Sequence, residues 1–268
     1  MTRVFAPLLL LDGAVGSLLL LGAIQGATEF LPVSSSGHLV LFGEWFGLER
    51  EQGLAREVAL HLGTLVAVIV FCWRDLLALL KVGSRGLWTL VLGSAVVTGA
   101  IGVPAEDLIS ENLAHVGGAA GGLAVTALLL AVVAPKDDSR QTRTLDQGTI
   151  RDAVILGLFQ SMALVPGISR AGATIVAALL LGFQRSHAVR IAFVMSVPVV
   201  GGAVLLKMLE PGGTEIYQDP GLLGGLVVAG LVGLGALRFI SVHVDARSLR
   251  LFALYCLLMA SAAMLSLL

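Results

Sequence analysis

Six long apolar runs, at 57–73, 87–103, 113–134, 191–209, 221–237 and 249–268, alternate with short polar connectors. Each run is close to the ~20 residues an α-helix needs to cross a bilayer. Hydrophobic residues make up 57% of the 268 residues and charged ones 13%, about half the charged share of a soluble domain. That balance excludes a disordered chain and an ordinary water-soluble enzyme. The apolar residues are blocks of Leu, Ala, Val and Gly rather than short alternating segments, which argues against a porin-type barrel. A net charge of -1 leaves no basic field for nucleic acid. The expected fold is all-α, a polytopic integral membrane protein forming a single transmembrane domain over 1–268. The apolar stretch from Val4 continues into the first motif, so it reads as part of the fold and not as a cleavable signal. Cys72 and Cys256 lie inside apolar runs, away from any His or acidic cluster, and read as packing residues.

The charges of the connectors segregate. Residues 74–86 carry Arg74, Lys81 and Arg85; 135–151 carry Lys136, Arg140, Arg143 and Arg151; 238–250 carry Arg238, Arg247 and Arg250. The connectors 104–112 and 210–220 carry Glu106, Asp107, Glu111, Glu210, Glu215 and Asp219 but no Lys or Arg. The positive-inside rule places the first three in the cytoplasm and the last two outside, with Lys207 a minor exception. Residues 183–190, with Arg185, His187 and Arg190, then share the cytoplasmic side with 135–151. The 31 residues of 152–182 between them must cross an even number of times, yet two full spans need about 40 residues. Their middle, Val165-Pro166-Gly167-Ile168-Ser169-Arg170, breaks a helix. A re-entrant hairpin from the cytoplasmic face satisfies both facts.

The chain also repeats itself at an offset of 135. Leu21, Gly22, Gln25, Ser34 and Gly37 match Leu156, Gly157, Gln160, Ser169 and Gly172, and each stretch has a proline just before the serine, Pro32 and Pro166. Residues 17–47 are thus expected to form a second hairpin. Counting crossings makes 1–135 and 136–268 two repeats of inverted topology, as in many transporters. Hairpins entering from opposite faces bring their tips together near the bilayer centre.

Those tips carry the polar residues. The first reads Gln25-Gly26-Ala27-Thr28-Glu29-Phe30-Leu31-Pro32-Val33-Ser34-Ser35-Ser36-Gly37-His38. Gln25 and Glu29 are one helical turn apart, and a carboxylate at membrane depth needs a partner or a wet cavity. Ser34, Ser35, Ser36 and Gly37 open a helix whose free amides suit an anion. His38 can act as nucleophile or as general acid or base. The second tip offers Ser169, Arg170 and, one turn on, Thr174. A guanidinium far from any connector matches phosphate oxygens in a fork. Together these groups describe a site for a phosphorylated lipid. Plainer readings stand beside this: an ion pair between hairpins for Glu29 and Arg170, a carbonyl-bonded His38, a serine helix cap. His61, on a span, reads as a packing residue or as a hydrogen-bond partner of the hairpin, and His115, His187 and His243 as solvated.

The strings LGAIQGATEFLPVSSSGHLVL, ALHLGTLVAV and VPGISRAGATI resemble the undecaprenyl-diphosphate phosphatases, the bacitracin-resistance membrane phosphatases, over nearly the whole chain. The family pattern Glu/Gln-x-x-x-Glu, then Pro-x-Ser-Ser-x-Gly-His, falls on Gln25, Glu29, Ser34, Ser35 and His38. Its second motif, Pro-Gly-x-Ser-Arg-Ser-x-x-Thr, falls on Ser169, Arg170 and Thr174. Gln25 stands where many members carry Glu, and Ala171 where Ser is usual. The resemblance implies hydrolysis of undecaprenyl diphosphate to undecaprenyl phosphate and inorganic phosphate, which recycles the carrier lipid of cell-wall synthesis. It also implies a divalent cation, Mg2+ or Ca2+, and a multi-pass protein of the bacterial cytoplasmic membrane whose site opens to the outer, periplasmic face.

The residues suggest how. Glu29 with Gln25 would hold the metal on the phosphoryl oxygens. Arg170 and the hairpin amides would grip the diphosphate, with Gln25, Ser34, Ser36, Gly37, Ser169 and Thr174 lining the substrate. Ser35 or His38 would attack phosphorus. Imidazole is the better nucleophile at neutral pH, which tilts the choice towards His38. Partners are the polyprenyl diphosphate and membrane lipids, with a homodimer as a further expectation and no nucleic acid. The alternative, from inverted repeats and broken helices, is a transporter or flippase of polyprenyl phosphate.

Overall fold

A computed structural model describes residues 13–46, 53–79, 85–133, 142–210, 213–214 and 218–268. The stretch from Val4 and the connector residues Lys81, Lys136, Arg140 and Glu215 fall outside these. The described residues hold eleven α-helices, a 3-10 turn at Leu145–Gln147 and no β-strand. They are α1 Gly13–Glu29, α2 Ser35–Phe46, α3 Gly53–Phe71, α4 Trp73–Leu79, α5 Arg85–Leu113, α6 Val116–Val133, α7 Ile150–Met162, α8 Arg170–Leu180, α9 Arg185–Leu209, α10 Pro220–Val242 and α11 Ala246–Leu265. Among the described residues, α5, α6, α9, α10 and α11 are each long and apolar enough to cross a membrane. The bent pair α3–α4 brings the number to six if counted as one span. That pair turns by 73° at Cys72, so the run expected as one span at 57–73 is broken near its end.

The acidic connector expected at 104–112 is helical. It forms the last turns of α5, which has 29 residues including Pro104. At 1.5 Å per residue α5 is about 44 Å long, well beyond the ~30 Å apolar slab. Glu106, Asp107 and Glu111 can therefore sit beyond that slab without ending the helix.

Two helix–break–helix units stand out from the spans. The first joins α1 and α2 across 30–34, and the second joins α7 and α8 across 163–169. With 13 and 11 residues, α7 and α8 each reach only about 16–20 Å and cannot cross alone. Arg143 fixes both ends of the second unit. Its guanidinium donates to Asp152 Oδ1 at 3.0 Å, near the start of α7, and to the Leu181 carbonyl at 2.9 Å, at the end of α8. It also lies 4.4 Å over the Phe183 ring. One side chain spans both ends, so α7 leaves and α8 returns at the same place.

Glycines set how closely the helices approach. A Cβ on Gly22 of α1 would collide with the Gly225 carbonyl of α10. A Cβ on Gly157 of α7 would meet the Ser94 carbonyl of α5 at 3.0 Å. Without the hydrophobic effect to drive association in lipid, such backbone contact is a main source of helix affinity. Replacing Gly22 with Leu should force α1 from α10 and cost about 1–3 kcal/mol of stability. Gly235 of α10 faces open space, and Gly235→Leu should stay within about 0.5 kcal/mol of wild type. Unfolding curves in mixed detergent micelles compare the two.

Candidate active site

Both tips are built alike. Ser34 and Ser169 each cap a following helix: Ser34 Oγ accepts from the Gly37 amide at 3.3 Å, and Ser169 Oγ from the Gly172 amide at 3.0 Å. The remaining first-turn amides, of Ser35 and Ser36 and of Arg170 and Ala171, cannot find partners within their own helices. Ser34 has φ 69°, and Gly167 has φ 92°. The left-handed conformation turns each chain sharply into its second helix.

The two tips interlock. A Cβ on Gly37 would come within 2.8 Å of Gly167 Cα, and one on Gly172 within 3.3 Å of the Pro32 ring. Each tip's second helix thus opens on a glycine against the other tip's breaker residue. Flanking helices hold them in place. On α6, Thr126 Oγ1 donates to the Gly167 carbonyl at 2.8 Å and accepts from the Ser169 amide at 2.9 Å. On α11, Cys256 Sγ donates weakly to the Pro32 carbonyl at 3.7 Å.

Glu29 is the meeting point. It is 6% exposed, and Arg170 from the second tip pairs with its Oε1. Its Oε2 accepts from Gln25 Nε2 at 2.9 Å and from Ser35 Oγ at 2.6 Å, and His61 Nε2 of α3 lies 3.4 Å away. A buried carboxylate with a cation and several donors is stabilised in its charged form. The short contact of Ser35 is that of a hydroxyl aimed at a base.

Beside these groups lies a cavity of about 510 Å3. Glu29, Ser34, Ser35, Ser36, Ser169 and Arg170 form its polar end. It then runs between α5 and α9, past Gly99, Val103, Val199 and Ala203, to Glu106, Ser110, Lys207 and Glu210. The result is a mostly apolar slot with a charged floor, shaped for a lipid with an anionic head.

The structure thus gathers six of the expected site residues on one cavity wall. Gln25, Gly37, His38 and Thr174 are not on it. Gln25 is fully buried behind Glu29. Thr174 Oγ1 is spent on the Arg170 carbonyl at 2.7 Å. His38 Nδ1 donates to the Ser34 carbonyl at 2.7 Å, which leaves Nε2 as the acceptor, and Tyr255 Oη donates to it at 2.7 Å. Both ring nitrogens are therefore occupied, and Tyr255 stacks on the ring at 5.5 Å. His38 braces the first tip against α11.

His61, expected to pack or to reach the hairpin, lies against Glu29 of the first tip and also lines the cavity. Its place one step before the string LGT of a span gave no sign of the cavity, because only the crossing of α3 over α1 brings it near. Tyr255 and Thr126 were equally silent, each an isolated polar residue in an apolar run. Of the other histidines, His115 and His243 are exposed, whereas His187 is half-buried with a buried Nδ1.

A family model for the bacitracin resistance protein BacA matches residues 18–262. An undecaprenyl-diphosphatase of Rubrobacter xylanophilus is 41% identical over 252 residues, covering 88% of this chain and 92% of that protein. Undecaprenyl-diphosphatases of Halothermothrix orenii and Desulforudis audaxviator are each 38% identical, covering 88% and 90% of this chain and 92% and 93% of theirs. The match spans both tips and every helix that supports them, and the chain belongs to the BacA bacitracin-resistance family.

Proposed function

We propose that this protein is a membrane phosphatase that hydrolyses undecaprenyl diphosphate to undecaprenyl phosphate and inorganic phosphate. The observation that carries the reading is Ser35 Oγ at 2.6 Å from Glu29, beside Arg170, at the polar end of an apolar cavity. The relatives named as undecaprenyl-diphosphatases supply the substrate. Its product is the carrier lipid for cell-wall precursors.

The chain's own residues suffice for a mechanism. Arg170 and the first-turn amides of α2 and α8 hold the phosphoryl oxygens and gain charge interactions as the transition state forms. Ser35 Oγ attacks the terminal phosphorus, and its proton passes to Glu29. The bond to the polyprenyl phosphate breaks, and that product takes up the proton. Water then attacks the phosphoserine and gives a proton to Glu29; the bond from phosphorus to Ser35 Oγ breaks, Glu29 returns the proton to that oxygen, and inorganic phosphate leaves. His38, with both nitrogens engaged, holds the Ser34 carbonyl and so the tip.

Two inverted repeats with re-entrant hairpins remain our reading of the fold. Arg143 joining the two ends of α7–break–α8 supports one hairpin. The packing partners support the exchange of halves: α1 lies on α10 as α7 lies on α5, α3 lies on α10 as α9 on α5, and α6 packs on α11. The positive-inside rule then puts the mouth at Glu106, Lys207 and Glu210 on the periplasmic side of the cytoplasmic membrane. Association into a homodimer is a further expectation, read by crosslinking in membranes. A divalent cation also remains expected, but the tip residues do not fit a resident ion, since both Glu29 oxygens are already engaged.

Phosphate release by the purified protein in detergent tests the function. A flippase needs two compartments and would release none. Arg170→Lys keeps the charge but loses the fork, and kcat/KM should fall at least tenfold, about 1.4 kcal/mol of transition-state stabilisation. Near-wild-type turnover in that folded variant would make Arg170 structural. Ser35→Ala should drop to background over pH 6–9, whereas His38→Ala should keep measurable turnover; the reverse pattern would return the attack to His38.

A further inference from the structure

A divalent cation bound by phosphatases usually rests on one or two carboxylates and on the substrate's phosphate oxygens. At the tips of this chain the carboxylate inventory is small. Glu29 is the one acid there, because the preceding turn carries Gln25. Glu29 already has a guanidinium on Oε1 and two donors on Oε2, Gln25 and Ser35, with His61 Nε2 3.4 Å from that oxygen. Carboxylates accept and never donate, so the Gln25 amide must turn its NH2 to Glu29. Its Oε1 then points away, buried and without a partner. Gln25 cannot chelate an ion together with Glu29 unless the amide flips and gives up that bond. At the far end of the cavity, Glu210 is paired with Lys207 at 2.8 Å. Among the described residues, no three His, Cys, Asp or Glu side chains come together as a metal site.

The charge balance points the same way. One carboxylate and one guanidinium neutralise each other in a low-dielectric interior. A bare divalent ion added there meets Arg170 with no spare anion and must lose its hydration. A diphosphate changes this, since its oxygens supply both the ligands and the negative charge.

We propose that the tips of this chain hold no resident divalent-cation site and that the cation enters there as a complex with the lipid diphosphate. Arg170 keeps Glu29 throughout, so Glu29 stays free of metal and available to Ser35. The inference rests on the diphosphatase reading above. It also makes Gln25 the deciding residue: a second carboxylate in its place would restore the charge that holds an ion without substrate.

Mn2+ retained by the purified full-length protein in detergent after equilibrium dialysis, counted against a protein-free chamber holding the same diphosphonate, tests this without turnover. The wild type should take up no Mn2+ alone, and about one equivalent once methylenediphosphonate is added. Gln25→Glu, with its helicity checked by circular dichroism, should bind Mn2+ alone at least about tenfold more tightly than wild type. Stoichiometric binding by wild type without the diphosphonate, lost in Glu29→Gln, would overturn the proposal. So would failure of the diphosphonate to recruit Mn2+ to the wild type. Absence of phosphate release from polyprenyl diphosphate with any cation would instead sink the phosphatase reading, and these binding measurements would not depend on it.

Discussion

Glu29 and Arg170 come from opposite halves of the chain, 141 residues apart, and meet in the apolar interior. An isolated charge at that depth costs several kcal/mol, so each makes the other tolerable. Their meeting requires two broken helical units to end at the same point. It also requires the tips to touch through Gly37 and Gly167, because any larger side chain would separate them. The packing of α6 and α11 around the tips follows from the same demand. Exposed carbonyls at a helix break need donors, and Thr126 and Cys256 provide them. Breaking the ion pair therefore disturbs more than one contact, since the tips, their caps and their supporting helices form one unit.

The same unit explains how chemistry proceeds in a lipid environment. A serine hydroxyl is a weak nucleophile in water. Here Ser35 starts a helix, one residue past a left-handed Ser34, which aims its Oγ at Glu29. The helix start and the guanidinium across from it are fixed before substrate arrives, so little reorganisation accompanies charge development. The slot between α5 and α9 leads away from this point with small residues on both walls. At about 510 Å3 it is the size of an ordinary small-molecule pocket. A C55 chain exceeds that, so most of the prenyl tail must lie in the bilayer while the head reaches the tips.

How far the sequence alone carries can be read residue by residue. Apolar runs in the sequence anticipated the helices long and apolar enough to cross, five among the described residues or six with the bent pair, because burial in lipid leaves the chain few options. The 31 residues of 152–182 were too short for two spans, and α7 and α8 are accordingly short helices joined by a break. Two pairs at the 135-residue offset have like surroundings: Ser34 and Ser169 each accept from the amide three residues on, and Gly22 and Gly157 each lie against the backbone of a neighbouring helix. Local rules failed where geometry is not local. The acidic connector at 104–112 became helix because α5 outruns the bilayer, and the run at 57–73 bent at Cys72.

The site divides along the same line. Residue types and spacing determined that Glu29, the serines and Arg170 belong together, since each is intolerable alone in an apolar segment. Their intrinsic chemistry tilts the attack towards His38, and spacing does not separate it from Ser35, three residues away on one helix. The proposed attack by Ser35 rests on tertiary contacts, which bring Tyr255 from α11 onto His38 Nε2 and Glu29 onto Ser35 Oγ. Tertiary structure also placed His61 at the cavity and turned the Gln25 carbonyl away from it. The physical reason is general to both outcomes. A sequence states which groups need partners, but partners separated by up to 224 residues are chosen only when the helices pack.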